Sequence, residues 1–541
     1  MEKFLVILLA TVLGFNCSGC DTLDKTEIAY VSRFEQESTI MLSDDGISLN
    51  GESVGSSGDV YVSNDIIYYE DKETYESGNP YGEGEAQDRH KPDEAMEHTV
   101  LNITKRGAYR VSGDMSKGQI RVDLGEDAKE NPDAVVELIL DNANVTCTVA
   151  PAILFMNVYE CDKDWSVETA KSQVDTTSAG ANLILANKSI NNINGSYVAK
   201  IFKDSEEEKK LYKQDGAIYS YMSMNVIGDG CLNLTAANEG LDTELHLTIN
   251  GGDVNIFSQN DGINTNEDGV SVTTINGGNI NIVAGLGAEG DGIDSNGWLV
   301  INGGTIASSA NPGADAGLDS DLGSYINGGI VVALGSTMDW PESNSNQAAM
   351  NLRFSEMQSG EEPIVIKDKD GKIVFAYCPT KSDRGYRGAV ISVPEFLVNE
   401  EYSVYIGGNL SGEEKNNLYY KVDDYTDGVM QGYYGSDLAR GHRMPGGMRP
   451  EGFPEMTEGE RPPRGENMPE GERSQGDKIP EFTGEMPPRG ERPAPPEGFD
   501  RKDFDGKFPQ GREENFEGME QKTVFVMSDK VNLFTGVSDI K

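Results

Sequence analysis

The sequence predicts an all-β fold: a parallel β-helix closed by a β-rich C-terminal cap. A Gly-rich motif recurs at spacings of 26, 26 and 25 residues, and each repeat holds short β-branched strands without helical periodicity. A fixed period of about 20–50 residues indicates stacked repeats, because one such unit cannot bury its apolar face alone. A β-propeller is the main rival, but its blades need about 40 residues each.

Two short motifs alternate through residues 238–334. The first motif is a Gly, a hydrophobic residue, Asp or Asn, and Thr or Ser, at Gly240–Thr243, Gly262–Thr265, Gly292–Ser295 and Gly317–Ser320. The second motif is Ile-Asn-Gly-Gly, at Ile249–Gly252, Ile275–Gly278, Ile301–Gly304 and Ile326–Gly329. Equivalent strands of neighbouring repeats should lie about 4.8 Å apart. We therefore expect the four isoleucines of the second motif to form one row in the core.

Acidic and amide side chains recur at equivalent positions and should form columns. A first column contains Asp242, Asn264, Asp294 and Asp319. A second contains Glu244, Asn266, Asn296 and Asp321. A third set precedes the glycines and contains Asp215, Glu239, Asp261 and Asp291, with Asp315 nearby.

These columns need a counter-charge. Two carboxylates about 5 Å apart repel by roughly 3 kcal/mol at an effective dielectric constant of 20. Between Gln214 and Leu352 the chain has seventeen Asp and Glu and no Lys or Arg, so we expect the cation to come from outside the protein. Carboxylate, amide and backbone carbonyl oxygens are the ligands of Ca²⁺. The predicted metal ligands are Asp215, Glu239, Asp242, Asp261, Asn264, Asp291, Asp294, Asp319 and Asp321. The alternative is that Asp and Asn hydrogen-bond the backbone of their own turns.

The overall charge indicates which partners are excluded, and the N-terminal sequence indicates where the protein is located. A net charge of −46 and an isoelectric point near 4.3 argue against nucleic acid as a partner. The apolar run 4–15 has the length of a signal peptide and is too short to span a bilayer. It leads to Cys17-Ser18-Gly19-Cys20, a lipoprotein cleavage pattern that predicts a lipid anchor at Cys20 on the outer face of a bacterial membrane. Ordinary secretion with cleavage nearby is the alternative. We expect a monomer.

Four cysteines follow this segment, without a CxxC pair or a nearby His, so a zinc site is not predicted. Cys147 and Cys161 are close enough in sequence to pair across adjacent turns. Cys231 lies in a strand-like run, and we expect it to point into the core.

The predicted organisation has six segments. Residues 1–19 are the lipoprotein signal peptide, 20–98 a spacer and N-terminal cap, and 99–340 the parallel β-helix. A capping strand is expected around Ile66–Tyr69. Residues 341–442 are the C-terminal cap, including a hairpin around Asp368–Gly371. Residues 443–521 hold 13 of the 22 prolines and should be a disordered loop, and residues 522–541 should return to the cap as closing strands.

The repeat motifs resemble those of a bacterial carbohydrate-binding β-helix family, typified by a cellulose- and pectin-binding surface protein of cellulolytic bacteria. The resemblance covers roughly residues 99–541. It includes the motifs around Asn250, Asp261, Asn276 and Asp291, together with Met338–Pro341. It implies a right-handed parallel β-helix, bound calcium, and binding of plant cell-wall polysaccharide including polygalacturonate. The ligands it carries over are Asp242, Asp261, Asp291, Asp294 and Asp319, whereas Asn264 and Ala316 depart from its acidic pattern.

Parallel β-helices also include pectate lyases and polygalacturonases. A lyase needs a Lys or Arg base, which here would have to be Lys213, Arg353, Arg110 or Arg121. A hydrolase needs two carboxylates at a set separation, and no pair stands out from the repeats. Non-catalytic polysaccharide binding is therefore the favoured interpretation. A pectic lyase or hydrolase, and a surface spacer, remain as alternatives.

Two modes of binding are open. Sugar rings stack on exposed aromatic side chains, and Trp298 and Trp340 lie on or beside the repeats, although both could instead pack in the core or cap. A uronate polymer could instead bind through calcium whose coordination shell is open at the surface.

Overall fold

Strands make up almost all of the regular structure. The computed structural model describes residues 31–69, 88–163, 165–201, 212–336, 339–379, 385–438, 516 and 519–540. In this part of the chain the strands form three sheets, of 28, eight and two strands. The helical segments that lie wholly within these residues are α1 (Pro92–Met96) and a 3-10 turn (Glu126–Glu130). The prediction of an all-β protein is confirmed.

The repeats stack as three parallel ladders, and each repeat within residues 216–309 contributes one short strand to each ladder. With strands numbered in chain order, the first ladder contains β1 (Glu37–Leu42), β6 (Gly107–Met115), β8 (Val136–Thr146), β10 (Ala181–Leu185), β15 (Met224–Gly228), β18 (Leu247–Ile249), β21 (Val272–Ile275), β24 (Trp298–Ile301) and β26 (Gly323–Ile326). The second ladder starts from the end of β8 and contains β11 (Ile190–Gly195), β16 (Cys231–Ala236), β19 (Asp253–Ser258), β22 (Asn279–Val283), β25 (Thr305–Ser309) and β27 (Ile330–Gly335). The third ladder contains β5 (Thr99–Ile103), β7 (Gly118–Asp123), β9 (Ile153–Asn157), β14 (Gly216–Ser220), β17 (Glu239–Thr243), β20 (Ile263–Thr265) and β23 (Ile293–Ser295).

The core lies between the ladders. Ile249, Ile275, Ile301 and Ile326 are opposite one another in register, and all four are fully buried. The inward side chains of the second and third ladders join them in one hydrophobic cluster. The predicted row of isoleucines is therefore confirmed, because a strict alternation of side chains puts every second residue of these strands inside.

The Asn and Gly residues of the second motif hold the turns in register. The Asn276 side-chain amide donates to Asn250 Oδ1 at 2.9 Å, and Asn302 and Asn327 continue the same row of side-chain bonds at 2.9 Å each. Gly304 has φ of +89°, and a Cβ atom there would lie 2.8 Å from the backbone oxygen of Gly278. Only glycine fits this turn without strain, since an L residue disfavours that φ and the preceding repeat leaves no space.

The N-terminal end is closed by strands within the segment predicted to be a spacer and cap. β1 is covered by β2 (Ser48–Leu49), which pairs with β3 (Glu52–Ser53). β4 (Val60–Ser63) pairs antiparallel with β5 and closes the third ladder. Residues 66–69, where a capping strand was expected, have no strand assignment.

A hairpin interrupts the repeats before β14. β12 (Val198–Ile201) pairs antiparallel with β13 (Tyr212–Gln214) in the separate two-stranded sheet.

The C-terminal end is closed by antiparallel strands. These are β28 (Ala349–Gln358), β29 (Ile364–Asp368), β30 (Ile373–Tyr377), β31 (Tyr386–Ser392), β32 (Glu401–Ile406), β33 (Asn409–Lys415), β34 (Leu418–Thr426), β35 (Val429–Gly432), β36 (Gly435–Leu438), β37 (Phe525–Val526) and β38 (Val531–Asp539). β31 pairs antiparallel with β27 and so ends the parallel stacking. β29 and β30 form the predicted hairpin, and β37 and β38 return to the cap as predicted. A second hydrophobic cluster fills this cap.

One possible cysteine pairing is not formed, and one expectation about cysteine is wrong. Cys147 and Cys161 are free thiols, so no disulfide joins them. Cys231 points outward: it is part-exposed, whereas its neighbour Leu232 is fully buried, and its thiol lies beside the amides of Asn233 and Asn255.

The predicted signal peptide, Cys20 and nearly all of the predicted loop at 443–521 lie outside the described residues. Among the residues that are described, no helix has the length and apolar character needed to cross a membrane.

Candidate functional site

The third ladder and its following turns carry the acidic columns. Asp242 is opposite Asn264, and Asn264 is opposite Asp294, as the spacing of the repeats predicts. Asp319 continues the column, because its N–H donates to Ile293 and its carbonyl oxygen accepts from Ser295. The register therefore brings together these four predicted metal-ligating residues on one face.

Two oxygen atoms in this column are buried without a hydrogen-bond donor. Asp242 is 0% exposed; its Oδ1 accepts from the Asn266 amide at 2.5 Å, but its Oδ2 accepts from no described residue. Asn264 donates to Glu239 Oε2 at 3.2 Å, whereas its Oδ1 accepts nothing among the described residues. An unsatisfied buried acceptor costs about 1–3 kcal/mol, more if it is charged. These neighbouring oxygens are therefore sites where a cation would be stabilising.

Lys213 supplies a counter-charge at the N-terminal end of the columns. Its ammonium group lies 3.0 Å from Asp215 Oδ2, and both side chains are largely buried. Burial alone would lower the pKa of Lys213, but the carboxylates of Glu239, Asp242 and Asp215 outweigh that effect and raise it. The expectation that all of the counter-charge is external is therefore wrong. Lys213 was missed because it stands one residue before the stretch that lacks Lys and Arg.

The positive charge of Lys213 does not balance the acids around it. Burial raises the pKa of Asp242, and the carboxylate of Glu239 raises it further, while Lys213 opposes both. Burial, Glu239 and Asp294 likewise raise the pKa of Asp261. The site thus favours loss of negative charge, by protonation or by binding of a cation.

The third set mainly hydrogen-bonds the backbone. Asp261 Oδ1 accepts from the N–H of Asp291 at 2.6 Å, and Asp291 Oδ1 accepts from the N–H of Ala316. Asp315 accepts from the N–H of Gly290 at 2.8 Å. For these three residues the bonds join neighbouring repeats, so they differ from the own-turn hydrogen bonds that were the alternative to metal binding.

At the C-terminal end the acids repel one another. Burial and the neighbouring Asp319 raise the pKa of Asp294 to about 7. Burial raises the pKa of Asp291 to about 8, although its bond from Ala316 opposes this. Asp339, which the sequence analysis did not single out, hydrogen-bonds Asp319, and burial and this contact raise its pKa to about 8. Asp321 is exposed at the edge of this group.

The arrangement of the acidic and amide side chains limits which metal ion could bind. Among the described residues, no three Asp, Glu, His or Cys side chains are already arranged as a ligand set for a metal. The column instead mixes carboxylates with amide and backbone oxygens, a donor set that Ca²⁺ accepts and that softer metals do not prefer. Asp242 and Asn264, with their unsatisfied oxygens, are the residues best placed to hold such an ion.

The two tryptophans have different surroundings. Trp340 packs against the small cluster of Ala349 and Val531, and the Arg353 guanidinium lies 5.5 Å from the centre of its ring. Trp298 is part-exposed and points away from the core, since its neighbour Leu299 is fully buried. Trp298 is therefore better placed than Trp340 to contact a ligand.

Three of the four basic residues that a lyase could use are engaged elsewhere, and the fourth, Arg353, lies over the Trp340 ring. Arg110 pairs with Glu37 and with Asp141, the latter at 3.0 Å. Arg121 pairs with Asp65 at 2.8 Å. Lys213 is held protonated by its acidic neighbours, as described above. A base must give up its proton before it can act, so these contacts work against a role in proton abstraction.

Comparison with known proteins places the ladders in a family. A family model described as "Carbohydrate-binding domain-containing protein" matches residues 97–370, which include the acidic columns, Trp298 and Trp340. The protein belongs to this family. The match thus runs from just before β5 to the turn between β29 and β30.

One solved structure matches the chain. Its title is "Structure of the polysaccharide lyase-like protein from C. thermocellum, Gadolinium derivative". It is 21% identical, with a TM-score of 0.31, and the match covers 54% of this chain and 93% of that one. No curated protein matches the sequence.

Proposed function

We propose that the protein is a non-catalytic, calcium-dependent polysaccharide-binding protein of the bacterial cell surface, and that its three ladders are those of a right-handed parallel β-helix. Membership of the carbohydrate-binding family supports the general function. The observation that carries the calcium dependence is the pair of buried, unsatisfied oxygens on Asp242 and Asn264.

The acidic column suits a uronate polymer only if a cation intervenes. The protein carries a net charge of −46, so polygalacturonate alone would be repelled. Bound Ca²⁺ would supply a Lewis-acidic centre that takes oxygen ligands from both sides. Asp242, Asn264 and Asp294, on three successive strands, would hold the ion, and sugar carboxylates would complete its coordination. Pectic polymers of this kind are the expected ligands of this face.

The test is a pull-down on immobilised polygalacturonate, in calcium and in the chelator EGTA, while ultraviolet absorbance follows any unsaturated lyase product. We expect binding in calcium, loss of binding in EGTA while circular dichroism shows a folded protein, and no new absorbance. Asp242→Ala should weaken calcium-dependent binding at least tenfold, a change of about 1.4 kcal/mol.

Asp253→Ala is the matched control, because Asp253 lies on the second ladder and pairs with Lys415 at 2.5 Å, away from the acidic columns. Retention by the polymer in EGTA would contradict the calcium bridge. Rising absorbance would instead make the protein a lyase.

We also propose that the mature chain is anchored by a lipid on Cys20. The apolar run and the Cys17–Cys20 pattern support this placement. Expression of the full chain in a bacterium should leave it in the membrane fraction, and Cys20→Ala should release it. Equal fractionation of the two proteins would refute the anchor.

A further inference from the structure

Lys213 lies at the first position of the acidic columns. It is the middle residue of β13, the strand that leads through Asp215 into β14 of the third ladder. The hairpin of β12 and β13 forms a sheet of its own and is not one of the stacked repeats. The positive charge at the start of the columns therefore comes from an insertion and not from the repeated motif.

Three carboxylates attract the ammonium group of Lys213. It lies 3.0 Å from Asp215 Oδ2, and the carboxylates of Glu239 and Asp242 also act on it. Asp215 is next to Glu239, since its carbonyl oxygen accepts from the Glu239 N–H at 3.1 Å. Asp242 is close to the same strand, because a Cβ atom at Gly216 would lie 2.6 Å from Asp242 Cβ. Acids from two successive repeats thus meet at one ammonium group.

The first column has no acid on the strand beside Lys213. On β14 the position opposite Asp242 is Tyr219, whose hydroxyl group donates to Glu244. The column of acids therefore begins with Asp242, and Lys213 adjoins its first member. Lys213 does not complete the hydrogen bonding of Asp242, because Oδ2 accepts from no described residue. The lysine thus neutralises charge at the end of the column and leaves the oxygens proposed to bind calcium unsatisfied.

An ion at the proposed calcium position would be close to this lysine. Asp242, Asn264 and Asp294 are on three successive strands, and adjacent strands are about 4.8 Å apart. An ion among them is therefore roughly 5–10 Å from the ammonium group. Asp242 is fully buried and the Lys213 side chain largely so, and buried charges are screened much less than exposed ones. Calcium at this position should be repelled by Lys213.

A lysine and a calcium ion stabilise the same acids in different ways. The ammonium group carries one charge and donates up to three hydrogen bonds, whereas Ca²⁺ carries two charges and takes 6–8 oxygen ligands. Lys213 is covalently attached, so it is present at every calcium concentration. It can hold the start of the column together when calcium is absent, and it takes up negative charge that calcium would otherwise use.

We infer that Lys213 is a built-in counter-ion, which takes the place of a cation at the start of the columns and weakens the binding of Ca²⁺ at Asp242, Asn264 and Asp294. The inference rests on the proposed function and concerns the regulation of that same site. With Lys213 in place, the protein stays folded without calcium and releases calcium readily. Without Lys213, folding itself depends on calcium.

The experiment uses the purified protein without any glycan. Isothermal titration calorimetry with calcium chloride measures affinity, and urea denaturation in EGTA and in calcium measures the free energy of unfolding. Lys213→Met removes the charge and keeps an apolar side chain of similar length. We expect it to bind calcium at least tenfold more tightly than wild type, a change of about 1.4 kcal/mol. We expect it to be less stable than wild type in EGTA and nearly as stable in saturating calcium, because the ion replaces the missing charge.

Three further variants separate charge at this position from other effects. Lys213→Gln also removes the charge but keeps a hydrogen-bond donor for Asp215, so it should show the same gain in affinity if Lys213→Met fails to fold. Lys213→Arg keeps the charge and should bind calcium as wild type does. Lys415→Met is the matched control, because it changes the net charge equally but breaks a pair with Asp253 on the second ladder. Its calcium affinity should be unchanged.

The outcomes are distinct. Unchanged or weaker calcium binding by the folded neutral variants at residue 213 would overturn the inference, and so would an equal loss of stability in EGTA and in calcium. The proposed function would then stand. A gain in affinity shared by Lys415→Met would also overturn the inference, because net charge would explain it. A wild-type protein that binds no calcium would overturn the calcium dependence of the proposed function, and the inference with it.

Discussion

At the scale of single residues, the side chains that matter are the ones whose charge or hydrogen bonding is incomplete. Asp242 combines complete burial, an unsatisfied oxygen and a raised pKa, whereas Asp261 and Asp291 accept bonds from the backbone. Residues of one type in one motif therefore have different roles. Position in the stack, and not residue type alone, separates acids that join neighbouring repeats from acids that need a cation.

Asp242→Asn should stabilise the protein in the absence of calcium and destabilise it in the presence of calcium. In EGTA we expect the free energy of unfolding to rise, because the folded protein disfavours an ionised Asp242 and each unit of pKa shift is worth about 1.4 kcal/mol. In saturating calcium we expect it to fall, because a ligand charge is lost. Urea denaturation in both buffers measures this. A change of the same sign in both buffers would argue against a cation at Asp242.

His98 should make stability depend on acid pH. It is 1% exposed, its Nδ1 donates to the Glu94 carbonyl oxygen at 2.9 Å, and its Nε2 accepts from the Thr148 N–H at 3.2 Å. Burial lowers its pKa, with opposition from Glu94. The unfolded state therefore binds a proton first as the pH falls below about 6.5, and the stability that His98 contributes is lost below that pH.

The measurement for His98 is the difference in free energy of unfolding between wild type and His98→Gln. This difference should be largest near pH 7 and shrink towards pH 5, when both proteins are measured in a buffer that contains calcium. A difference independent of pH would mean that protonation of His98 does not destabilise the folded state.

At the scale of elements, the ladders depend on turns that repeat without variation. The amides of Asn250, Asn276, Asn302 and Asn327 bond in a row, and the backbone N–H of Asn346 closes the row at 3.2 Å. The glycines that follow each Asn let adjacent turns approach closely. A substitution in one turn should therefore disturb the turns of the neighbouring repeats.

Gly304→Ala should destabilise the protein more than Gly371→Ala. Both positions have positive φ, +89° and +81°, so both substitutions strain the backbone by about 1–2 kcal/mol. A Cβ atom at residue 304 would also meet Gly278 at 2.8 Å, whereas one at residue 371 has nothing within 4 Å. Thermal unfolding of the two variants tests this, and equal losses would mean that the turns can separate at little cost.

The elements were more predictable than the site. The row from Ile249 to Ile326 follows from alternation and period, and both are visible in the sequence. The same alternation, applied to Leu232 and Leu234, would have placed Cys231 outside. The approach of Lys213 to Glu239 and Asp242, and of Glu342 to Gly323, could not be predicted, because both depend on how non-repeating segments fold back on the ladders.

At the scale of the whole molecule, an excess of negative charge opposes the compact state. The net charge is −46, and much of it lies on repeats that have no Lys or Arg. Self-repulsion of this kind weakens with salt, since the screening length falls to about 10 Å at 0.1 M. Specific binding of calcium should act differently from screening.

Calcium should raise the midpoint of thermal unfolding more than magnesium at the same ionic strength. Ca²⁺ accepts mixed carboxylate, amide and carbonyl oxygens in flexible geometry, whereas Mg²⁺ demands a near-ideal octahedron. Differential scanning calorimetry in EGTA, magnesium and calcium makes the comparison, with sodium chloride as the control for screening. Equal effects of the two divalent ions would indicate screening of surface charge alone.

The antiparallel pairing of β31 with β27 has a consequence for how such a molecule can change its length. Each repeat contacts the one before and the one after, so a duplication or deletion of one whole unit leaves both ends intact. Because the closing strand pairs with the backbone of β27 and packs on its side chains Val332 and Leu334, it can terminate a taller or shorter stack whose last repeat keeps these contacts. The length of the stack therefore changes in steps of about 4.8 Å, and one added repeat lengthens the molecule without a change at either end.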